Sequence, residues 1–528
     1  MGASALLFLA LAALGAGPAD TCATTPARIA DVHTSDVHTS DVQAGDVQAG
    51  DALLDVAAAE AVSPALGLPG YCRVRGVIGP SIGFEARLPL SGWNGKYYQT
   101  GCGGFCGAVL PDKGGRSNAI NHALKRGYAV ITTDGGHEGA HIGDARWARD
   151  NPQAEALFAH RAIALTYRAG RALVRAFYGE DPDYAYFSGC SNGGRMALIA
   201  AQRYPALFDG IVSGCPVVDL AGSGGVFGAW VLQANQDPRA ESGRILDASF
   251  RGKLAYLEGL VEAQCDGLDG SLDGLIAAPD RCAVDLDGAA SCEGRSEAGA
   301  PACLSDAEKR AVAAWYRGPH DSAGARLFSG MPPGSERFWG VWYLGDENGP
   351  GPGMLLADGY GRYMAFPEDP EDYAPEDFDF DRDVAGLAAQ GALYNATDPD
   401  LRAFRDAGGK LLLWHGMADP LVVPQQSVDY YRSVIAKIGG VRETQAFFRM
   451  FLAPGVGHCW EAPGAGPDDF DPLAALEAWV EDGVAPDVIE AAPSPAQAGL
   501  TVSGVSYRPY PAEPVIHHDQ PAGEGARP

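Results

Sequence analysis

A serine, an aspartate and a histidine in this chain each stand just beyond an apolar run, in an order and setting suited to nucleophilic acyl transfer. Gly189-Cys190-Ser191-Asn192-Gly193-Gly194 fits G-x-S-x-G, with a strand-like stretch before it (Tyr184 to Ser188) and a helical one after it (Arg195 to Arg203). The glycines allow the sharp turn that lifts the serine hydroxyl above the strand ends, and the helix N-terminus behind it favours negative charge. A serine hydroxyl is a poor nucleophile until a base takes its proton, and that base needs an acid to orient it. Asp419 lies in Trp414-His415-Gly416-Met417-Ala418-Asp419-Pro420, after the run Lys410 to Trp414. His458 lies in Pro454-Gly455-Val456-Gly457-His458-Cys459, after Ala446 to Leu452. Both fall in loops past the C-terminal ends of strands, where an open α/β sheet gathers its site. His415 is a rival base, but it stands four residues before Asp419 and is expected to be structural.

The anionic intermediate of such a reaction needs hydrogen-bond donors. The amide of Asn192, next to the nucleophile, is one. The second is expected from the Gly-rich segment Gly101-Cys102-Gly103-Gly104-Phe105-Cys106-Gly107, at Gly103.

The elements that must position these residues alternate. Val74 to Ile78, Gly83 to Leu88, Lys96 to Gln99, Tyr128 to Thr132 and Tyr184 to Ser188 read as strands, and Ala154 to Ala176 as a long amphipathic helix. Alternation stops after Val218, in a stretch rich in Gly, Pro, Asp and aromatics. It resumes with the strand Lys410 to Trp414, the helix Gln425 to Ile438, the strand Ala446 to Leu452 and the helix Leu473 to Asp482. This predicts an α/β fold: a parallel sheet covered by helices and interrupted by a large inserted lid.

Composition narrows the function classes. The chain has 528 residues, 46% hydrophobic and 20% charged, so most of it should fold. A formal charge of −28 with no dense run of Lys or Arg argues against nucleic acid or a membrane surface as partner. The apolar run Ala3 to Leu14, followed by small residues, reads as a signal peptide over residues 1–19, which predicts a secreted or periplasmic protein. Eleven cysteines without a CxxC pair suit disulfides rather than a structural zinc site, with at least one thiol left over. Residues 20–70 carry a tandem pentapeptide repeat (Asp31 to Gly50) with no helical or strand period, read as a linker.

Cys190 directly before the serine and Cys459 directly after the histidine resemble the CS-D-HC motif of the tannase/feruloyl esterase family, whose members include mono(2-hydroxyethyl) terephthalate hydrolases. The resemblance runs from about Tyr71 to Asp482. It implies an α/β-hydrolase fold, a Cys190–Cys459 disulfide tying nucleophile to base, and hydrolysis of phenolic-acid esters such as feruloyl, galloyl or terephthaloyl esters. Cys265-Asp266-Gly267-Leu268-Asp269-Gly270-Ser271-Leu272-Asp273-Gly274-Leu275 resembles the family's lid calcium loop. It implies a structural Ca2+ held by the Asp266, Asp269 and Asp273 side chains and the Ser271 and Leu275 carbonyls, a hard-cation set of oxygens. The remaining cysteines can be matched as Cys22–Cys72, Cys102–Cys106, Cys265–Cys282 and Cys292–Cys303, leaving Cys215 free, although sequence does not fix connectivity.

The expected organisation is therefore a catalytic domain over 71–218 and 384–490, a lid with its calcium loop over 219–383, and a Pro-rich tail over 491–528 that wraps the surface. The expected partner is a small aromatic ester. Phe338, Trp339, Trp342 and Tyr363 are candidate aromatics of the lid's binding site, though such residues more often fill a core. A peptidase or acyltransferase with the same three residues, or a silent binding protein, are the alternatives.

Overall fold

The computed structural model describes residues 21–24, 54–240, 242–292, 303–347, 349–370, 372–460 and 462–518. The expected signal peptide and the pentapeptide repeat lie outside the described residues.

Among the described residues nine strands form one mixed sheet: β1 (Leu54–Val62), β2 (Tyr71–Ile78), β3 (Ile82–Pro89), β4 (Lys96–Thr100), β5 (Ala129–Thr133), β6 (Tyr184–Cys190), β7 (Gly210–Gly214), β8 (Lys410–Gly416) and β9 (Phe448–Ala453), in the order β1-β2-β3-β5-β4-β6-β7-β8-β9. From β5 to β9 all pairings are parallel. β6 and β8 are buried almost throughout because helices cover both faces, which is why they read as continuous apolar runs. The pairings of β1, β2 and β3, and of β3 with β5, are antiparallel. The sheet is thus mixed rather than wholly parallel: only Gly79 to Ser81 join β2 to β3, far too few residues for a crossover.

The long helix expected over 154–176 is interrupted. A helix Pro152–Ala156 passes through a π-helical turn, Leu157–Arg161, into the helix Ala162–Tyr178. Gly179, at φ 85°, ends that helix by returning its N–H to the Arg175 carbonyl. The π turn presents the Phe158 and Ala159 carbonyls to the guanidinium of Arg195, a fully buried residue that also donates to the Tyr394 carbonyl. Burial with only neutral acceptors pulls Arg195 down to about 9.

Between β7 and β8 the chain leaves the sheet and builds a layer over its C-terminal edge. Trp315, Trp339, Phe338 and Leu257 fill one core there, and Phe105, Phe158, Val226 and Tyr360 join the layer to the body in another. Cys265–Cys282 and Cys292–Cys303 close loops within it.

Past Asp482 the structure departs from the expected surface-wrapping tail. β10 (Ile489–Ala491), β11 (Val502–Tyr507) and β12 (Val515–His518) form an antiparallel three-stranded sheet. Val502, Val505 and Tyr507 are buried against Phe470 and Trp479. These strands are short and lie among prolines, so their apolar positions carried too little period to read. Among the described residues no helix is long and apolar enough to cross a membrane.

Candidate active site

Ser191 follows directly on β6 and caps the helix Asn192–Arg203 with φ 63° and ψ −125°, a backbone that L-residues rarely adopt. The flanking glycines are required by contact. A Cβ at Gly189 would stand 2.3 Å from the Gly193 carbonyl oxygen, and one at Gly193 would stand 2.1 Å from Asn118 Oδ1. Asn118 holds the Cys190 peptide from both sides, accepting from its N–H at 2.9 Å and donating to its carbonyl at 3.0 Å. Sequence reasoning missed it. A lone asparagine 72 positions upstream gives no signal of that reach.

Asp419 is fully buried in the loop after β8. Its Oδ1 accepts the Leu421 and Val422 amides, both at 2.9 Å, and its Oδ2 accepts Nδ1–H of His458 at 2.6 Å. Burial alone would raise this carboxyl, but the imidazoles of His458 and His415 outweigh it and hold Asp419 at about 2. With Nδ1 donating to the carboxylate, His458 keeps Nε2 as its free lone pair, the state a general base requires.

His415 is committed elsewhere. Its Nε2 donates to the Val422 carbonyl at 2.8 Å and lies 3.4 Å from Asp419 Oδ2, while Nδ1 accepts from Ser427. It braces the acid loop.

Serine and histidine are brought together covalently. Cys190, before Ser191, and Cys459, after His458, form a disulfide with Cα atoms 5.9 Å apart. Cys22–Cys72, Cys102–Cys106, Cys265–Cys282 and Cys292–Cys303 are the other bridges, and Cys215 is free and buried. The sulfur of Cys215 lies within 4.8 Å of those of Cys190 and Cys459, and burial pushes its thiol up. A metal at these sulfurs is disfavoured, since two of the three are already bonded to each other.

A cavity opens beside Ser191, about 610 Å3 with its open mouth included. Gly104, Phe105 and Asn192 stand in its wall with the serine. In the Gly101–Gly107 loop the sequence points to Gly103. The structure puts its neighbour Gly104 in the wall, while the Gly103 carbonyl accepts from the Cys106 amide. Trp342 packs edge-on against His458, with ring centroids 5.2 Å apart.

The other expected lid aromatics sit elsewhere. The short helix Glu336–Trp342 turns Phe338 and Trp339 into the lid core, and Tyr363 lies under the Arg149 guanidinium. The cavity's aromatic surface comes instead from Phe105, Phe227 and Tyr343.

In the expected calcium loop, Asp266 accepts the Gly274 amide, Asp269 those of Ser271 and Ala277, and Asp273 that of Leu275. Asp273 Oδ2 is buried without a hydrogen-bond partner, 3.5 Å from His518 Nε2. Among the described residues the three carboxylates are not gathered as a set within 4.8 Å of one another. The ligand atoms are all oxygen and one of them has no hydrogen-bond partner, which fits a hard cation in chemistry.

The sequence profile of the family described as tannase and feruloyl esterase matches residues 67–524. The chain belongs to this family. It is a carboxylic ester hydrolase by that membership. It is 37% identical to an uncharacterized esterase of Xanthomonas campestris pv. campestris, over 80% of this chain and 78% of that one. It is 32% identical to the mono(2-hydroxyethyl) terephthalate hydrolase of Piscinibacter sakaiensis, over 86% and 83%. The crystal structure of feruloyl esterase B from Aspergillus oryzae superposes with a TM-score of 0.74 at 25% identity, covering 94% of this chain and 96% of that one. The fold is that of an α/β-hydrolase.

Proposed function

We propose that this protein hydrolyses carboxylic esters of aromatic acids through an acyl-enzyme on Ser191, after export to an oxidising compartment. The observation that carries this reading is the fully buried Asp419–His458 hydrogen bond of 2.6 Å, joined through Cys459–Cys190 to a serine at the mouth of a cavity.

His458 Nε2 takes the proton of Ser191 Oγ as the oxygen attacks the ester carbonyl. Asp419, already ionised, stabilises the imidazolium that forms. The Asn192 amide and the Gly104 amide of the Gly103–Gly104 peptide receive the developing oxyanion. His458 then gives its proton to the leaving alcohol, and water repeats the sequence to release the acid. Feruloyl and terephthaloyl are candidate acyl groups from the names of the relatives, and galloyl from the family resemblance. Five disulfides suit a compartment outside the reducing cytosol.

In the lid, Asp266, Asp269 and Asp273 with the Ser271 and Leu275 carbonyls are the residues that would hold Ca2+. The ion would supply positive charge to a loop whose own amides leave Asp273 Oδ2 uncompensated.

The test is hydrolysis of methyl ferulate, methyl gallate, monomethyl terephthalate and p-nitrophenyl acetate by wild type and Ser191→Ala. Wild-type turnover of an aromatic ester, lost in the variant, is expected. A folded wild type silent on the whole panel, or a variant as active as wild type, would overturn the reading.

A further inference from the structure

We infer that the cavity beside Ser191 selects a neutral, largely apolar acyl group and rejects an acid that carries a second, ionised carboxylate. This rests on the esterase reading and narrows its substrate class.

The acyl half of the ester is assigned to the cavity by exclusion. The leaving alcohol must face His458, which returns a proton to it, and His458 is covered by Trp342. His458 does not line the cavity, whose wall holds Ser191 together with Gly104, Phe105 and Asn192. What enters it is the group attached to the carbonyl carbon.

Its wall carries no Lys, Arg, His, Asp or Glu among the described residues. Phe105, Leu220, Phe227, Val231, Leu356 and Leu421 make it apolar. The polar side chains present are nearly all spoken for. The Tyr343 hydroxyl donates to the Pro420 carbonyl at 3.0 Å, and the Asn192 amide group is held by Arg195 and the Cys102 carbonyl. Ser223 Oγ accepts from Gln426 at 3.3 Å, which leaves its one proton to offer a ligand. A single hydroxyl can meet a phenol or methoxy group. It cannot replace the hydration of a carboxylate, which needs a cation or several donors when withdrawn from water. The lining therefore discriminates by charge, not by length.

Three esters test this: methyl benzoate, dimethyl terephthalate and monomethyl terephthalate. The second and third have the same ring and scissile bond, and differ in whether the far end is neutral or anionic. At pH 7 we expect kcat/KM for monomethyl terephthalate to fall about 100-fold or more below that for the dimethyl ester. Dimethyl terephthalate should accordingly stop at the monoester. The ratio of the two kcat/KM values cancels the enzyme's own titration, because both substrates see the same enzyme at each pH. That ratio should climb as pH falls towards the free acid's pKa of roughly 4.

Comparable rates on the two terephthalates at pH 7 overturn the inference. So does a slow monoester whose ratio stays flat with pH, which would mean shape rather than charge. Turnover of p-nitrophenyl acetate with none of the three aromatic-acid esters overturns the acyl assignment alone. Silence on all four overturns the esterase reading itself.

Discussion

Asp419, in the loop after β8, and Glu336, at the start of the lid helix Glu336–Trp342, are both shut off from solvent, yet their carboxyls titrate in opposite directions. Burial raises both. At Asp419 two imidazoles outweigh burial, and the carboxyl falls to about 2. At Glu336 the Tyr316 hydroxyl and the Gly334 amide meet one oxygen, the other has no partner, and the carboxyl is pushed up to about 7. Depth in the fold does not decide the charge of an acid. The donors that the surrounding loops aim at it do. The sheet edge is built to keep a charge, and the lid to do without one.

The sharpest way to break this contrast is to remove the charge at the sheet edge. Asp419→Asn keeps the shape but presents an amide to His458, favouring the wrong tautomer. We expect kcat to fall by about 10³–10⁴-fold with KM little changed, measured on the best aromatic-acid ester. A loss below about tenfold would mean that His458 does not depend on Asp419 for its orientation. Because wild-type Asp419 stays ionised down to about pH 2, any acid limb of kcat/KM above pH 4 must belong to another group.

Next in size is the covalent tie. Cys190→Ala/Cys459→Ala opens a bridge that spans 269 positions and restrains the unfolded chain. We expect a loss of about 2–5 kcal/mol in denaturant unfolding, together with most of the activity. If stability falls while kcat holds, Asn118 and the strand ends suffice to place Ser191 against His458.

These two regions also differ in how far the sequence disclosed them. Ser191, Asp419 and His458 stand in loops at strand ends, and Cys190 and Cys459 adjoin them, so residue type, order and neighbours all pointed the same way. Most of the parallel strands were legible because burial on both faces makes them uniformly apolar, but β7, Gly210–Gly214, was missed, since its five residues hold two glycines and a serine. Asn118 was not, since its grip on Cys190 exists only once the chain has folded back. In the lid, composition marked Phe338, Trp339 and Trp342 as notable but not which way the helix turns them. Phe227 and Leu356, in apolar stretches of ordinary appearance, took the cavity instead. The antiparallel hairpin at β2–β3 and the sheet β10–β12 were hidden by short connections and prolines.

The lid side of the comparison is tested by Glu336→Gln. In the folded protein this carboxyl titrates near 7, above its ordinary 4.5, so the folded state binds more protons than the unfolded state between those values. Stability must therefore fall as pH rises from about 4.5 to 7, by roughly 3 kcal/mol at most, and the deficit stays in full above 7. Around it stand Tyr316, with its hydroxyl on Oε1, and Glu258, which is paired to Arg337 and adds negative charge. Glutamine fills the same space without ionising. Its melting temperature should lose the downward slope over this window and exceed the wild type's at pH 8. Parallel profiles for the two proteins would show that Glu336 does not set the lid's pH response.

A third carboxylate refines the contrast at the smallest scale. Asp273 is less deeply placed than the other two, though its side chain is only 4% exposed, and one of its oxygens also lacks a hydrogen-bond partner. Unlike Glu336 it stands in a loop with two further aspartates, an oxygen set suited to a hard cation. Removing calcium with a chelator should lower the wild-type melting temperature by a few degrees, in proportion to the ion's binding free energy. Asp273→Asn should start lower and respond little to the chelator, since the amide no longer rewards a bound ion. A wild type indifferent to chelation would mean that the loop holds no calcium and that His518, 3.5 Å from Asp273 Oδ2, is the only charge partner the fold offers that oxygen among the described residues.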